Sequence, residues 1–263
     1  MAYYHTKIRR AHFLDELRGF VVLLMIIFHG AYDLVYLFGV RFELFFSPLF
    51  QNYLQPFIAC NFILIAGIVS RYSRNNIKRG ALVFGCGMLM TIGTYIFMPA
   101  LIIRFGVLHL LGACMMLYGI ITHLKHGRPD KLSVFAGVLI FGALFIMLRG
   151  VPSGYLGLIG TAFVVRLPHF LYQPWLAPFG FPNIGFNSSD YFPLIPWFML
   201  FSVGNFLGVL FHQNAMPEFF YRHHVRFLGK IGQHSLLIYL LHQPLLYGLL
   251  FVVFKLMSVL NAN

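Results

Sequence analysis

Charge is what this chain of 263 residues has least of. Charged side chains make up 10% of it and only seven are acidic, whereas an ordinary soluble domain carries about a quarter. So little charge cannot coat a water-facing surface, which excludes a soluble globular domain, a disordered tail and a coiled coil. Cysteine is scarce as well. Cys60, Cys86 and Cys114 all sit in apolar stretches, with neither metal-ligand spacing nor a disulfide framework, and read as small buried side chains. No HExxH or CxxC pattern occurs, so no metal is expected. What fills the chain instead is apolar: 59% hydrophobic, 18% aromatic, mean hydropathy +0.79. That composition leaves an integral membrane protein.

The net charge of +12 must be read by location. The basic residues cluster in short segments between apolar runs, the pattern that orients membrane proteins. Nucleic-acid binding needs a basic face on a soluble module, and none is available. Lys7, Arg9 and Arg10 precede an apolar run as in a signal peptide. The run from Phe20 to Val40 is too long for that and has no small-residue cleavage site, so it is expected to span.

About 20 mainly apolar residues cross the hydrocarbon as a helix. On that rule the candidate spans are Phe20–Val40, Phe57–Ser70, Ala81–Met98, Phe105–Ile121, Leu132–Leu148, Pro193–Phe211 and Leu236–Leu256. Tyr155–Val165 is a short, doubtful segment. The expected fold is all-α: a polytopic membrane helical bundle of seven to nine spans, with an extracytoplasmic or re-entrant segment around 150–192. One domain, 1–263, is expected, without internal repeats. Fourteen of the 19 basic residues fall in four segments: Lys7 to Arg18, Arg71 to Arg79, Lys125 to Lys131 and Arg222 to Lys230. All four lie on one side if the N-terminus is cytoplasmic and residues 149–192 cross an even number of times. This predicts a multi-pass protein of the cell membrane with an extracytoplasmic C-terminus.

Polar residues in a bilayer are expensive and are functional candidates by default. The first apolar segment reads LDELRGFVVLLMIIFHGAYDL. At about 100° per residue, Asp15, Arg18, His29 and Asp33 fall within a stripe of about 60° that leaves out only Glu16. His29 lies roughly 16 Å deeper than Arg18, and Asp33 about one turn further. At i and i+4, the Asp33 carboxylate is placed to orient the His29 imidazole. Such an imidazole can take a proton from a hydroxyl or an amine. Arg18 suits a phosphate, with Asp15 at i−3 to hold its guanidinium. A purely structural stripe, packing polar groups between helices, is the alternative.

Other constellations are less specific. His109 lies in the fourth span, five residues after Arg104; it either lines a polar cavity or is a hydrogen-bonded packing histidine. Either Ser189 and Asp190 cap the following helix, or Asp190 and Tyr191 hold an acceptor's hydroxyl or amino group. Ser235, Tyr239 and His242 share one helix face, and Pro244 is expected to kink that helix. His234 and His242 are eight residues apart, too far for a two-ligand helix site; His242 reads as a cavity-lining group. The turn with Arg71, Arg74, Asn75, Asn76, Lys78 and Arg79 either sets topology at anionic lipid or binds coenzyme phosphates.

LDELRGFVVLLMIIFHG, with Arg18 and His29 separated by ten residues, resembles the first-helix signature of membrane acyltransferases. With FILIAGIVSRYSRNNIKRG (62–80), RFGVLHLLG (104–112), SDYFPLIPWF (189–198) and GQHSLLIYLLHQP (232–244), the chain resembles the heparan-alpha-glucosaminide N-acetyltransferase catalytic-domain family, in particular its small bacterial members. The resemblance covers nearly the whole chain, in order. It departs at one point: where the family's lysosomal enzyme has Asn this chain has His29, and it has no His near Val40, where that enzyme's catalytic His falls.

The resemblance implies transfer of an acyl group, in the first instance acetyl, from a cytoplasmic acyl-CoA to a hydroxyl or amine of a carbohydrate-type acceptor on the outer side. His29 and Asp33 would be the catalytic residues, with His29 a base or a transient acyl carrier. Arg18, Asp15, Arg71, Arg74 and Arg79 would meet the coenzyme, and His109, Asp190, Tyr191, Tyr239 and His242 the acceptor. The partners expected are acetyl-CoA or another acyl-CoA, a glycan or other small polar acceptor, and membrane lipids, with a homodimer left open. A proton-coupled transporter or lipid flippase is the alternative, since intramembrane His and Asp also relay protons. The absence of paired repeats weighs against it.

Overall fold

The computed structural model describes residues 8–124, 131–158 and 160–260. Eight α-helices dominate it: α1 (His12–Tyr36), α2 (Gln55–Ser70), α3 (Asn76–Phe97), α4 (Val107–Leu124), α5 (Lys131–Leu148), α6 (Leu194–His212), α7 (Arg226–Gln233) and α8 (Ser235–Leu260). Among the described residues, six helical stretches are long and apolar enough to cross a membrane: His12–Tyr36, Leu49–Ser70, Asn76–Phe97, Leu132–Ser153, Leu194–His212 and Ser235–Leu260. The helix over Val107–His123 is apolar but shorter. Large apolar side chains stand on the outside of these helices, Phe97 at 80% and Leu132 at 75% exposure, as expected where hydrocarbon replaces water as the solvent. The family of helices is as expected, but α1 starts eight residues before Phe20, so Asp15 and Arg18 are already helical. Lys7, Lys125 and Arg128, used to orient the chain, lie outside the described residues.

Among the described residues, the expected special segment around 150–192 holds no α-helix. It consists of 3-10 turns and an antiparallel hairpin of β1 (Tyr155–Gly157) and β2 (Val164–Arg166), with Tyr155 opposite Arg166 and Gly157 opposite Val164. Gly154, Gly157 and Gly160 have positive φ, a conformation that interrupts a helix at each position. Tyr155–Val165 therefore turns back on itself within a few residues.

The chain divides into two compact units. A mid-chain unit spans Ile63–Met216; a terminal unit combines Arg9–Phe62 with the chain from Pro217 onward. The division falls inside α2. In the terminal unit, Val21, Val22, Met25 and Phe28 of α1 form a core with Phe45, Phe50 and Ile58. α1 and α7 touch backbone to backbone. A Cβ on Gly19 would lie on the Leu228 carbonyl, and one on Gly232 on the Asp15 carbonyl. In the mid-chain unit Gly67 of α2 and Gly204 of α6 allow a contact of the same kind, against Phe201 and Leu64. Apolar lipid tails give two apolar helices little reason to associate, so close approach at small residues supplies the van der Waals contact instead.

Candidate active site

The terminal unit holds the α1 stripe. His29 and Asp33 are one turn apart, and Asp33 is fully buried. The expected carboxylate–imidazole bond is not formed. Asp33 Oδ1 instead accepts a hydrogen bond from Nε2 of Gln243 on α8, at 2.7 Å. The His29 ring meets the His242 ring, with centroids 5.0 Å apart and planes tilted by 57°. The reason is geometric. Side chains four residues apart both project toward the packed neighbour, and at this depth α8 presents His242 and Gln243 to them.

His242 is 6% exposed, and its Nδ1 lies 2.6 Å from the Tyr239 carbonyl oxygen. A carbonyl only accepts, so Nδ1 carries the proton and Nε2 keeps the lone pair. That Nε2 has no hydrogen-bond partner, and neither do Asp33 Oδ2 and Gln243 Oε1. All three are buried acceptors. A buried polar atom without a partner costs roughly 1–3 kcal/mol, so the cluster is short of donors. Tyr239 flanks it, its ring 5.4 Å from that of His242 and 6.4 Å from that of Phe62.

At the N-terminal end of α1, Asp15 is shared by two guanidinium groups. Arg18 lies at 3.7 Å and Arg10 at 2.8 Å. The Asp15–Arg18 pairing at i, i+3 is thus present, with Arg10 added to it. Glu16, outside the stripe, is 4% exposed. Both of its oxygens accept the His224 backbone N–H, at 2.9 and 3.2 Å, and His223 Nδ1 lies 3.5 Å away. It anchors the turn that leads into α7.

The other residues singled out from sequence belong to the mid-chain unit. Arg71, half-buried just after α2, donates from Nε to the Asn205 carbonyl at 3.2 Å, and its guanidinium lies over the Tyr118 ring at 5.4 Å. Burial pushes its pKa down. The support behind it is buried: Asn205 donates to Ser70 Oγ at 2.8 Å. Arg74 and Arg79 are exposed, and Asn75 caps α3 by accepting the Lys78 N–H at 2.9 Å. His109 is buried with both ring nitrogens engaged. Nδ1 accepts from the Gly106 N–H at 3.2 Å, so Nε2 donates to Thr91 Oγ1 at 3.3 Å, whose hydroxyl donates on to the Ile103 carbonyl.

Asp190 Oδ2 accepts the Val107 N–H at 3.0 Å. It therefore caps α4, 83 residues back along the chain, rather than the α6 helix that follows it. The Tyr191 hydroxyl donates to the Ala177 carbonyl at 2.6 Å, and burial raises its pKa, keeping it a neutral donor.

The structure thus gathers His29, Asp33, His242 and Tyr239 in the terminal unit, and holds Arg71, His109, Asp190 and Tyr191 by bonds within the mid-chain unit. Sequence reasoning missed Gln243 and Glu16. Gln243 had a signal: an amide next to a histidine in an otherwise apolar helix. Among the described residues no group of three or more His, Cys, Asp or Glu is arranged to hold a metal ion.

A family model described as heparan-alpha-glucosaminide N-acetyltransferase, catalytic, matches residues 10–244. No curated protein and no solved structure matches the chain.

Proposed function

Since this chain belongs to the heparan-alpha-glucosaminide N-acetyltransferase catalytic family, whose type of activity is transmembrane acetyl transfer, we propose that it moves an acetyl group from cytoplasmic acetyl-CoA to the amino group of a carbohydrate-type acceptor presented from the other side. The observation that carries the choice of an amine is the donor-poor cluster. Asp33 is a buried carboxylate with one oxygen unpaired, beside an unpaired Gln243 carbonyl oxygen. An ammonium supplies both the missing donors and the missing positive charge, whereas a hydroxyl supplies one donor and no charge.

The chemistry then balances as follows. Asp33 and Gln243 hold the acceptor ammonium, and His29, one turn away, removes a proton to give the free amine. The amine nitrogen attacks the thioester carbonyl carbon and the C–S bond breaks. A second proton passes from nitrogen to the departing sulfur, giving the amide and coenzyme A. His29 returns its proton to solvent. Arg18, braced by Asp15, takes a coenzyme phosphate at the inner end of α1. Within the mid-chain unit, Arg71, Arg74 and Arg79 are candidate phosphate ligands in their own right, with Arg71 preorganised over Tyr118. In this reading the 1–263 chain works as one domain, and α4 is the seventh span. At 18 residues it is about 27 Å long, close to the roughly 30 Å of hydrocarbon. Seven spans put the N-terminus in the cytoplasm and the C-terminus outside, in keeping with the basic segments.

The test uses purified full-length protein with radiolabelled acetyl-CoA and glucosamine as the amine. Acceptor-dependent release of coenzyme A is expected, with glucose in place of glucosamine giving far less. His29→Ala lowers turnover about 100-fold or more. Equal thioester consumption by wild type and His29→Ala rejects His29 as the base.

A further inference from the structure

A neutral imidazole that takes a proton on one nitrogen carries a hydrogen on the other, and that N–H needs an acceptor when it is buried. In the Ser-His-Asp arrangement a carboxylate fills this role and fixes the tautomer. Here the carboxylate one turn from His29 is bonded to Gln243 instead. The ring beside His29 is His242, at 5.0 Å between centroids. Its tautomer is set by the Tyr239 carbonyl, which takes the Nδ1 hydrogen at 2.6 Å. This leaves the Nε2 lone pair buried and without a partner. A lone pair fixed in this way is the acceptor that His29 lacks.

We infer that His242 is the positioning residue for His29: in the reacting complex a rotation of the neighbouring His29 ring brings its second N–H to the unpaired His242 Nε2, which then holds that ring with its other nitrogen toward the acceptor. The inference rests on the acetyltransferase reading, and it divides the polar cluster into two tasks. Asp33 and Gln243 anchor the acceptor's charge, and His242 orients the base. The Tyr239 carbonyl that fixes His242 lies three residues before it on α8, so the tautomer is built into a single turn of helix. The other groups facing the pair are Asp33, Gln243 and the Tyr239 ring; Asp33 and Gln243 are bonded to each other.

Two measurements test this. Histidine-selective 15N NMR of the full chain in nanodiscs, with His242 assigned by its loss in His242→Gln, reports the tautomer without any substrate. A pyrrole-type Nδ1 and a pyridine-type Nε2 are expected for His242, and a shifted His29 resonance in His242→Leu. A protonated Nε2 on neutral His242, or a His29 resonance indifferent to His242→Leu, overturns the inference. In the coenzyme A release assay, His242→Leu lowers kcat about 100-fold with the KM for acetyl-CoA unchanged. His242→Gln, whose amide oxygen also accepts, regains part of it. Loss of turnover in His29→Ala with wild-type kcat in His242→Leu overturns this inference alone. Full turnover in His29→Ala instead removes the reading beneath it.

Discussion

The crossing of α1 and α7 makes a quantitative demand on Gly232. A Cβ built there comes within 2.8 Å of the Asp15 carbonyl carbon and 2.9 Å of the Gly19 nitrogen. Carbon–carbon contact is most favourable at about 3.5–4.0 Å, so Gly232→Ala pushes the two helices apart by about 1 Å. Both partners are backbone, and no side-chain rotation relieves the clash. Alanine improves helix propensity by at most about 1 kcal/mol, while overpacking costs about 1–3 kcal/mol and more where nothing can yield. The net expectation is a loss of about 2 kcal/mol, or a Tm lower by roughly 4–8 °C for a chain of this size. The assay is thermal unfolding of the detergent-solubilised protein, with Gly248→Ala as the internal control. Gly248 lies on α8 of the same unit and has nothing within 4 Å of its Cβ position, so that variant stays at or slightly above wild type. Because Asp15 is the residue displaced, Gly232→Ala also raises the KM for acetyl-CoA. A Gly232→Ala protein as stable as Gly248→Ala would refute the close crossing and the placement of Asp15 that depends on it.

Three further outcomes follow from contacts elsewhere. Asp190→Ala removes the acceptor from the Val107 N–H and costs about 1 kcal/mol, in the range for a lost helix cap. Denaturation should register that loss while the acceptor KM stays constant; an altered KM at unchanged stability would make Asp190 a substrate ligand instead. Arg18→Ala and Arg71→Ala each raise the KM for acetyl-CoA while leaving kcat nearly constant, the signature of lost ground-state binding, and steady-state kinetics that do not move would remove the residue from the phosphate site. Glu218 accepts from both guanidinium nitrogens of Arg9 at 2.8 and 2.7 Å, which lowers its pKa below the ordinary 4.5. Its contribution to stability is therefore present above about pH 4.5 and lost as the pH falls through the lowered value. The pair is exposed, so the effect is small and shrinks in salt; a Glu218→Gln protein with the same stability-versus-pH curve as wild type between pH 5 and 3 would count against it.

The donor-poor cluster sets up a tension that a membrane makes sharper. With no water in the hydrocarbon region to satisfy them, unpaired acceptors there carry a larger penalty than at an aqueous surface. Two packed helices, α1 and α8, still present three of them together. The Asp33–Gln243 bond uses one oxygen of the carboxylate and the amide nitrogen, and leaves Asp33 Oδ2 and Gln243 Oε1 buried without a partner. In the proposed acetyltransferase reading this is preorganisation for a cation at the expense of the empty protein's stability, a trade that is common where a site must bind charge.

How much could be read in advance differs from residue to residue. Hydropathy and the scarcity of charge were sufficient for a helical membrane protein, since only a helix satisfies its own backbone in hydrocarbon. The 3.6-residue period placed Asp15, Arg18, His29 and Asp33 on one face, because that alignment depends only on spacing along one helix. The Asp15–Arg18 pair came out as expected for the same reason. The bonding of Asp33 and His29 did not, since it depends on which side chains α8, more than 200 residues away, brings to the same depth. Asp190 behaved likewise: its position before α6 suggested a local cap, and the chain used it to cap α4. Sequence alone determined which elements form and which residues share a face, because those are matters of local period and solvent. Only the tertiary structure decided who bonds to whom, because a buried hydrogen bond goes to the nearest donor in space and spacing along the chain carries no record of it.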